Sequence, residues 1–279
     1  MDLSIIIINY NVEILLNKCV ESIYKNTSGI DFEVIVIDNN SPNDHTFLAE
    51  NQRITFIQNN ENKGFSFAVN QGIALSKGKY LMVLNPDSLI LNDALKKMVN
   101  FLNDHSRIGI IGPKVYEKDK KTIQLSCRSF PDYSIFLFNR YSVLSKLFPN
   151  NKWTRRYLLH DWAHDHIREV DWVSGCCMMI RKKMIEKIGA FDVQFFMYNE
   201  DVDICIRAKQ NGWGVYYYPD AEILHYIGES SKFLKYQMII ERHKSIWKFY
   251  KKHYHTNFIL DGMTFLGLLL RGIIHILFS

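Results

Sequence analysis

The sequence predicts an α/β chain built on a mostly parallel, doubly wound sheet, and three observations carry that prediction. Short, predominantly apolar runs recur at residues 3–8, 32–37, 80–84 and 108–115, the length and composition of strands buried on both faces. Segments with helical spacing separate them, so strand and helix alternate. The runs also stop abruptly in polar clusters, Asn9-Tyr10-Asn11, Asp38-Asn39-Asn40-Ser41 and Asn85-Pro86-Asp87, at the strand ends where open α/β sheets bind ligands.

Each element follows in order. After the first run, Val12, Leu15, Leu16, Cys19, Val20 and Ile23 recur at helical spacing, and Gly29 is expected to end that helix. The second strand ends in the carboxylate of Asp38. Residues 54–57 make a third strand; Asn62-Lys63-Gly64-Phe65 then turns into a helix carrying Ala68, Val69 and Ile73. The central strand, 80–84, ends at Asn85-Pro86-Asp87, where Pro86 fixes the backbone between two oxygen-bearing side chains, a seat for a hard cation and a diphosphate. An amphipathic helix over 93–104 and a strand over 108–115 complete the regular part.

Between 116 and 169 the alternation fails, and an insert over the crevice is expected. Its His160-Asp161-Trp162-Ala163-His164-Asp165-His166 run matches no zinc spacing and reads as a polar loop. Val170-Asp171-Trp172-Val173 and the apolar run 176–180, joined by Ser174-Gly175, predict a hairpin-like strand pair. The adjacent Cys176 and Cys177 read as core. Asn199 is expected to cap a helix whose first turn holds Glu200, Asp201 and Asp203, and 213–218 and 221–224 read as two short strands, the second ending at His225.

Composition bounds the rest. With 279 residues, 47% hydrophobic and 23% charged, the chain builds one large domain or two intimate halves. The net charge of +5 is modest and thickens toward the C-terminus, which favours one acidic surface as partner and no nucleic acid. Five cysteines without a C-x-x-C pair suit a reducing, cytoplasmic setting, and the opening apolar run is too short and lacks the basic flank of a signal peptide. From Lys232 onward, Lys235, Arg242, Lys244, Lys248, Lys251 and Lys252 alternate with apolar residues, the pattern of a basic amphipathic helix. Residues 258–278 are richer in Leu, Ile and Phe but are interrupted by Asp261, Arg271 and His275, so the expectation is peripheral association with an anionic membrane surface, not a span. The alternative partner is the domain itself or a second copy in a homo-oligomer.

Taken together and in order, these motifs resemble the family-2 inverting glycosyltransferases of the GT-A fold, particularly their rhamnosyltransferase-like branch. The matching elements are Asn9-Tyr10-Asn11, Asp38-Asn39-Asn40-Ser41, Asn62-x-Gly64-Phe65 with Asn70 and Gly72, Asn85-Pro86-Asp87, Trp172-Val173-Ser174-Gly175, Glu200-Asp201-Val202-Asp203 and His225 before Gly228. The resemblance implies a nucleotide-sugar-binding half over 1–115, an acceptor and catalytic-base half over 116–231, and C-terminal helices over 232–279. It implies donor contacts from Asn9, Asn11, Asp38, Asn40, Asn62, Gly64, Phe65, Asn70, Asn85 and Asp87, with Asp38 accepting a pyrimidine ring N–H of a dTDP or UDP donor. Asp87 and His225 would hold Mg²⁺ or Mn²⁺, Trp172, Ser174 and Gly175 would meet the acceptor, and Asp201 would be the base with Glu200 in support. Asn85-x-Asp87 supplies one carboxylate where the family's motif has two, which implies a weaker hold on the ion in the absence of nucleotide.

The implied reaction moves a rhamnose-like sugar from a nucleotide diphosphate to a glycan, lipid-linked, at the inner face of the cell membrane. A non-catalytic scaffold in a glycan-assembly complex is the rival reading. A nicotinamide dehydrogenase or P-loop NTPase is disfavoured, because Asn9-Tyr10-Asn11 satisfies neither glycine fingerprint.

Overall fold

The computed structural model describes residues 1–42, 51–132, 151–226, 235–254 and 256–277. The expected Gly228 and Glu229-Ser230-Ser231 turn, the tail residues Lys232 and Phe233, and part of the 116–169 insert lie outside the described residues. One ten-stranded sheet organises the chain. Its strands are β1 (Leu3–Asn9), β2 (Phe32–Asp38), β3 (Ile54–Gln58), β4 (Tyr80–Leu84), β5 (Ser88–Leu91), β6 (Ile108–Tyr116), β7 (Ile123–Gln124), β9 (Arg168–Glu169), β11 (Cys177–Arg181) and β12 (Gly214–His225). β8 (Cys127–Arg128) and β10 (Trp172–Val173) form a separate antiparallel pair. The main order is β3-β2-β1-β4-β11-β6-β12-β5, with β7 on β6 and β9 on β12. β1, β2, β3 and β4 run parallel, as do β6 and β12; β11 runs against both β4 and β6.

The continuous apolar runs are explained by helices on both faces. Ile5, Ile7, Val34, Val36 and Met82 point to the side of α1 (Glu13–Lys25) and α3 (Ala94–Asp104). Ile6, Ile8, Ile35, Ile37 and Val83 point to the side of α2 (Phe65–Leu75) and α6 (Glu200–Gln210). With alternate residues buried on opposite faces, no position in β1 faces solvent; its buried Ser4 hydroxyl accepts from Gly78 N–H at 2.7 Å. Gly72 lets α2 lie close on the sheet, since a Cβ there would stand 2.4 Å from Ile6 Cγ2.

The structure corrects several local expectations. β10 and β11 are not a hairpin: after Gly175 the chain leaves the small sheet, and β11 inserts between β4 and β6. All five β11 residues are buried, a demand that a central slot meets and a hairpin edge does not. Its last residue, Arg181, is buried with them, and donates to the carbonyls of Leu102 (2.6 Å), His105 (3.0 Å) and Ile108 (3.0 Å), closing the end of α3. The two expected strands around 213–224 are one, β12, with a register break between Tyr218 and Glu222 where Pro219 lacks an N–H. β5 is unforeseen; at four residues it carries too little periodicity to read. α1 ends at Asn26, before Gly29, because the Asn26 amide donates to the carbonyls of Ser22 and Ile90.

In the insert, α4 (Lys152–Tyr157) is capped by Asn151, and the His160–His166 run belongs to an aromatic cluster. His164 is buried, stacks on Trp162 at 4.3 Å and bonds the Trp162 carbonyl at 2.9 Å. α5 (Lys182–Ile188) follows β11.

The tail forms two helices, α7 (Lys235–His253) and α8 (Phe258–Leu277). α7 is not a free basic face. Arg242, Lys248 and Lys252 turn inward onto the domain, and Lys244 and Lys251 pair with Glu241 and Asp261. α8 packs on α7 through Leu268 and a Phe265–Trp247 ring contact, and leaves most of its apolar side chains exposed. By length and composition alone it is long and apolar enough to cross a membrane, with a mean hydropathy of 1.6 over its best window, so its interruptions are weaker than the sequence suggested.

Candidate active site

The carboxyl ends of β1, β2, β4 and β12 converge on one crevice. β1 and β2 are in register, which sets Asn9 beside Asp38. The Asn9 amide donates to Asp38 Oδ1 at 2.6 Å, the Ser41 hydroxyl donates to the same oxygen at 2.6 Å, and Ser41 N–H donates to Oδ2 at 2.8 Å. Asn11 N–H then reaches the Ser41 hydroxyl at 2.9 Å. Asp38, expected to meet a pyrimidine directly, is wholly buried, and both of its oxygens already accept these bonds. These bonds hold the turn that presents exposed Asn40 in the left-handed region at φ 68.

The second wall comes from the turn into α2. Asn62 Oδ1 accepts from Gly64 N–H at 2.9 Å, and Phe65 N–H donates to the Phe196 carbonyl at 2.6 Å. Gly64 sits at φ 94 with Phe196 so close that a Cβ would lie 2.6 Å from its carbonyl oxygen. The two expected halves therefore meet backbone to backbone. Asn70, expected among the donor contacts, is a clamp instead: its amide donates to the Phe191 carbonyl at 2.8 Å and accepts from Phe191 N–H at 3.0 Å. Between these walls lies a cavity of about 90 Å³ lined by Tyr10, Asn39, Asn62, Phe65, Asn85, Pro86, Phe196 and, from α7, Met238.

At the floor, Asp87 is 1% exposed, and among the described residues neither of its oxygens has a hydrogen-bond partner. β5 and β12 pair Ser88 with His225, which brings His225 Nε2 to 3.1 Å from Asp87 Oδ1. The other ring nitrogen, Nδ1, lies 3.0 Å from Gln124 Oε1; with Nδ1–H donating there, a neutral ring turns its Nε2 lone pair toward Asp87. A buried carboxylate facing an imidazole lone pair is a donor set that fits a divalent cation, with a nucleotide's oxygens and water to complete the shell. Among the described residues no group of three or more His, Cys, Asp or Glu is assembled for a metal. Asn85, held by the Cys176 carbonyl, approaches His225 Nε2 at 3.5 Å.

Across the crevice, α6 opens from two successive left-handed residues, Tyr198 (φ 72) and Asn199 (φ 66). Asn199 stands at the expected cap position, but its side chain makes no capping bond, because the left-handed backbone turns it away. Asp201 is part-buried; Gly175 N–H donates to its Oδ2 at 3.1 Å and Val202 N–H to its Oδ1 at 2.9 Å. Burial pushes the Asp201 carboxyl above its ordinary range, and the two N–H bonds and the Arg128 charge pull it only partly back. Burial and the neighbouring Asp201 charge hold Glu200 well above the carboxylate range. Ser174 and Gly175 thus lie at the strand end beside Asp201. Trp172 does not: it is 6% exposed, its indole N–H donates to the Ser129 carbonyl at 2.9 Å, and Arg128 covers its face at 5.1 Å. Burial pushes the Cys176 thiol up to about 12, consistent with a core residue and not a nucleophile.

Gln124, Arg128 and Met238 escaped the sequence reading. The first two lie in the irregular insert and Met238 in a helix read as tail, and none carries a local motif.

The comparisons agree with this geometry. The family described as Glycosyl transferase family 2 matches residues 4–189. The N-acetylglucosaminyl-diphospho-decaprenol L-rhamnosyltransferase of Mycobacterium tuberculosis is 30% identical over 230 residues, 77% of this chain and 73% of that protein. Rhamnosyltransferase WbbL of Escherichia coli is 25% identical over 233 residues, 80% and 82% of the two chains. Among solved structures, the mannosyltransferase PcManGT from Pyrobaculum calidifontis, in complex with GDP-Man and Mn²⁺, superposes with a TM-score of 0.59 at 17% identity, covering 98% of this chain and 71% of that one. With its mixed, mostly parallel sheet and this crevice at the strand ends, the chain belongs to glycosyl transferase family 2 and has the GT-A fold.

Proposed function

We propose that the chain is an inverting transferase that moves a rhamnose-like sugar from a dTDP- or UDP-linked donor to a hydroxyl of a lipid-linked glycan precursor, peripherally at the cytoplasmic face of the cell membrane. The observation that carries it is Asp87: a buried carboxylate whose two oxygens have no hydrogen-bond partner among the described residues, facing His225 across 3.1 Å at the end of a central strand. Such a group is costly unless a cation or ligand completes it. The rhamnosyltransferase relatives supply the sugar class.

Asn9, Asn11, Asn40, Asn62, Gly64, Phe65 and Asn85 shape the donor crevice, with the turn held by Asp38 supporting the base. Asp87 and His225 hold Mg²⁺ or Mn²⁺, which when bound supplies positive charge for the departing diphosphate. Asp201, fixed by Gly175 and Val202, takes the proton of the acceptor hydroxyl as that oxygen bonds the sugar's anomeric carbon and the bond to the diphosphate breaks. Glu200, whose carboxyl burial and the Asp201 charge push upward, supports it. α8 associates with the membrane through its exposed apolar face.

The test is release of nucleotide diphosphate by purified protein from dTDP-rhamnose and from UDP-sugars, with isolated membranes as acceptor and Mn²⁺ or Mg²⁺ present. Release that needs both the acceptor and the ion supports the reading. Binding of dTDP or UDP without any turnover would favour the non-catalytic scaffold.

A further inference from the structure

α7 reads in the sequence as a membrane element, yet one face of it runs along the segment that delivers Asp201. Arg242 lies 4.7 Å over the ring of Tyr198, the first of the two left-handed residues that open α6. One turn on, the Ser245 hydroxyl donates to the Met197 carbonyl at 2.7 Å, and the next turn's Lys248 donates to the Gln194 carbonyl at 2.7 Å. Lys252 then bridges Asp192 and Asp203, 2.6 Å from each, and His253 Nε2 lies 2.8 Å from Asp203 Oδ1. The spacing of three to four residues puts these contacts on one helix face.

Asp203 is where the contacts end. It is wholly buried, two residues from Asp201 on α6, and its other oxygen accepts from Arg207 at 2.9 Å. Arg207 in turn donates to the carbonyls of Ile188, Gly189 and Ala190, below the same segment. Although burial pushes Asp203 up, the bonds from His253 and Lys252 and the Arg207 charge bring it down to about 2, so the ion cluster is intact at neutral pH. A non-glycine residue at φ 72 persists only where its surroundings hold it, and Arg242 of α7 packs on that residue's ring.

We propose that α7 is a positioning element of the active site: through Lys252 and His253 on Asp203, and the ladder from Arg242 to Lys248, it holds the 192–203 segment in the conformation that aims Asp201 at the acceptor. This rests on the transferase reading for the role of Asp201, but not for the mechanical coupling. Because α8 is tied to α7 by the Lys251–Asp261 ion pair at 2.6 Å, the helix that meets the membrane and the helix that sets the base form one unit.

The test uses the full chain carrying Lys252→Met with His253→Gln, and separately Lys252→Arg. Two readouts are taken: amide hydrogen exchange over 195–203, and steady-state release of dTDP from dTDP-rhamnose with isolated membranes. The double variant is expected to exchange faster over 195–203 while β1 and β4 amides are unchanged, and to lose kcat on the order of 10- to 100-fold with the donor KM kept, as for a misplaced catalytic group. Lys252→Arg, which keeps the charge and leaves His253 in place, should match the parent in both. Unchanged exchange over 195–203 overturns the proposal, as does a loss that falls on donor KM alone or on β1 and β4 amides equally. If unmodified protein releases no dTDP or UDP from any donor, the transferase reading fails, and exchange alone then decides the coupling.

Discussion

Asp87 Oδ1 and His225 Nε2 stand 3.1 Å apart in a buried crevice, although 138 residues of chain separate them, because the β5–β12 pairing sets Ser88 opposite His225. The first two predictions concern this pair.

Transfer should require a divalent cation. Asp87→Ala should abolish it, since the departing diphosphate then lacks a fixed counter-charge in a water-poor site. A titration of initial rate against Mn²⁺ with chelator controls checks this; full turnover in excess chelator would refute it.

His225→Ala should raise the Mn²⁺ concentration needed for half-maximal rate. Gln124→Leu should do so as well, since groups that orient a ligand are commonly worth about 10- to 100-fold in metal affinity. If Gln124→Leu leaves the titration unmoved, the ring is not oriented by that bond.

Asp201→Asn should keep donor binding and lose about 10²- to 10⁴-fold in rate, because an amide cannot accept the proton. The base works deprotonated and burial raises its pKa, so kcat/KM should fall as pH drops at a value above the ordinary carboxylate range. A pH–rate profile flat through that window would remove Asp201 from the role.

Asp203→Asn should destabilise the fold by about 2 kcal/mol at neutral pH, the value of a carboxyl lowered from 3.8 to about 2. Because the folded pKa is depressed, this stability is fully present above 3.8 and is lost as pH falls through about 2. Urea melts should therefore show the gap between variant and parent closing over that interval, and a gap independent of pH would contradict the ion cluster.

Removing residues 258–279 should move the protein from the membrane to the soluble fraction with donor binding retained. Because Arg242, Lys248 and Lys252 of α7 face inward and Lys244 and Lys251 are paired at the surface, high salt alone should release little and mild detergent most, the pattern of apolar burial rather than charge. Release by carbonate or salt alone would point to electrostatic attachment, and loss of the fold on truncation to a core role for α8.

The sequence by itself determined the sheet-and-helix alternation and the positions of the polar strand ends. A strand buried on both faces must be apolar at every position, as in Ile5 to Ile8, and must turn polar where it leaves the sheet, as at Asn9 and Asp87. Local spacing also placed Asp201 in a helix's first turn. Only tertiary structure decided what those groups face. Whether Asn70 meets a donor or clamps Phe191, whether Trp172 is open or lies under Arg128, and whether β11 ends a hairpin or enters between β4 and β6 depend on partners more than forty residues away. The same holds for α7, whose basic residues look alike in sequence. The packing of one face onto Gln194, Met197 and Asp203 selects which of them serve the active site, because a charge's partner is set by distance in space and not by its neighbours along the chain.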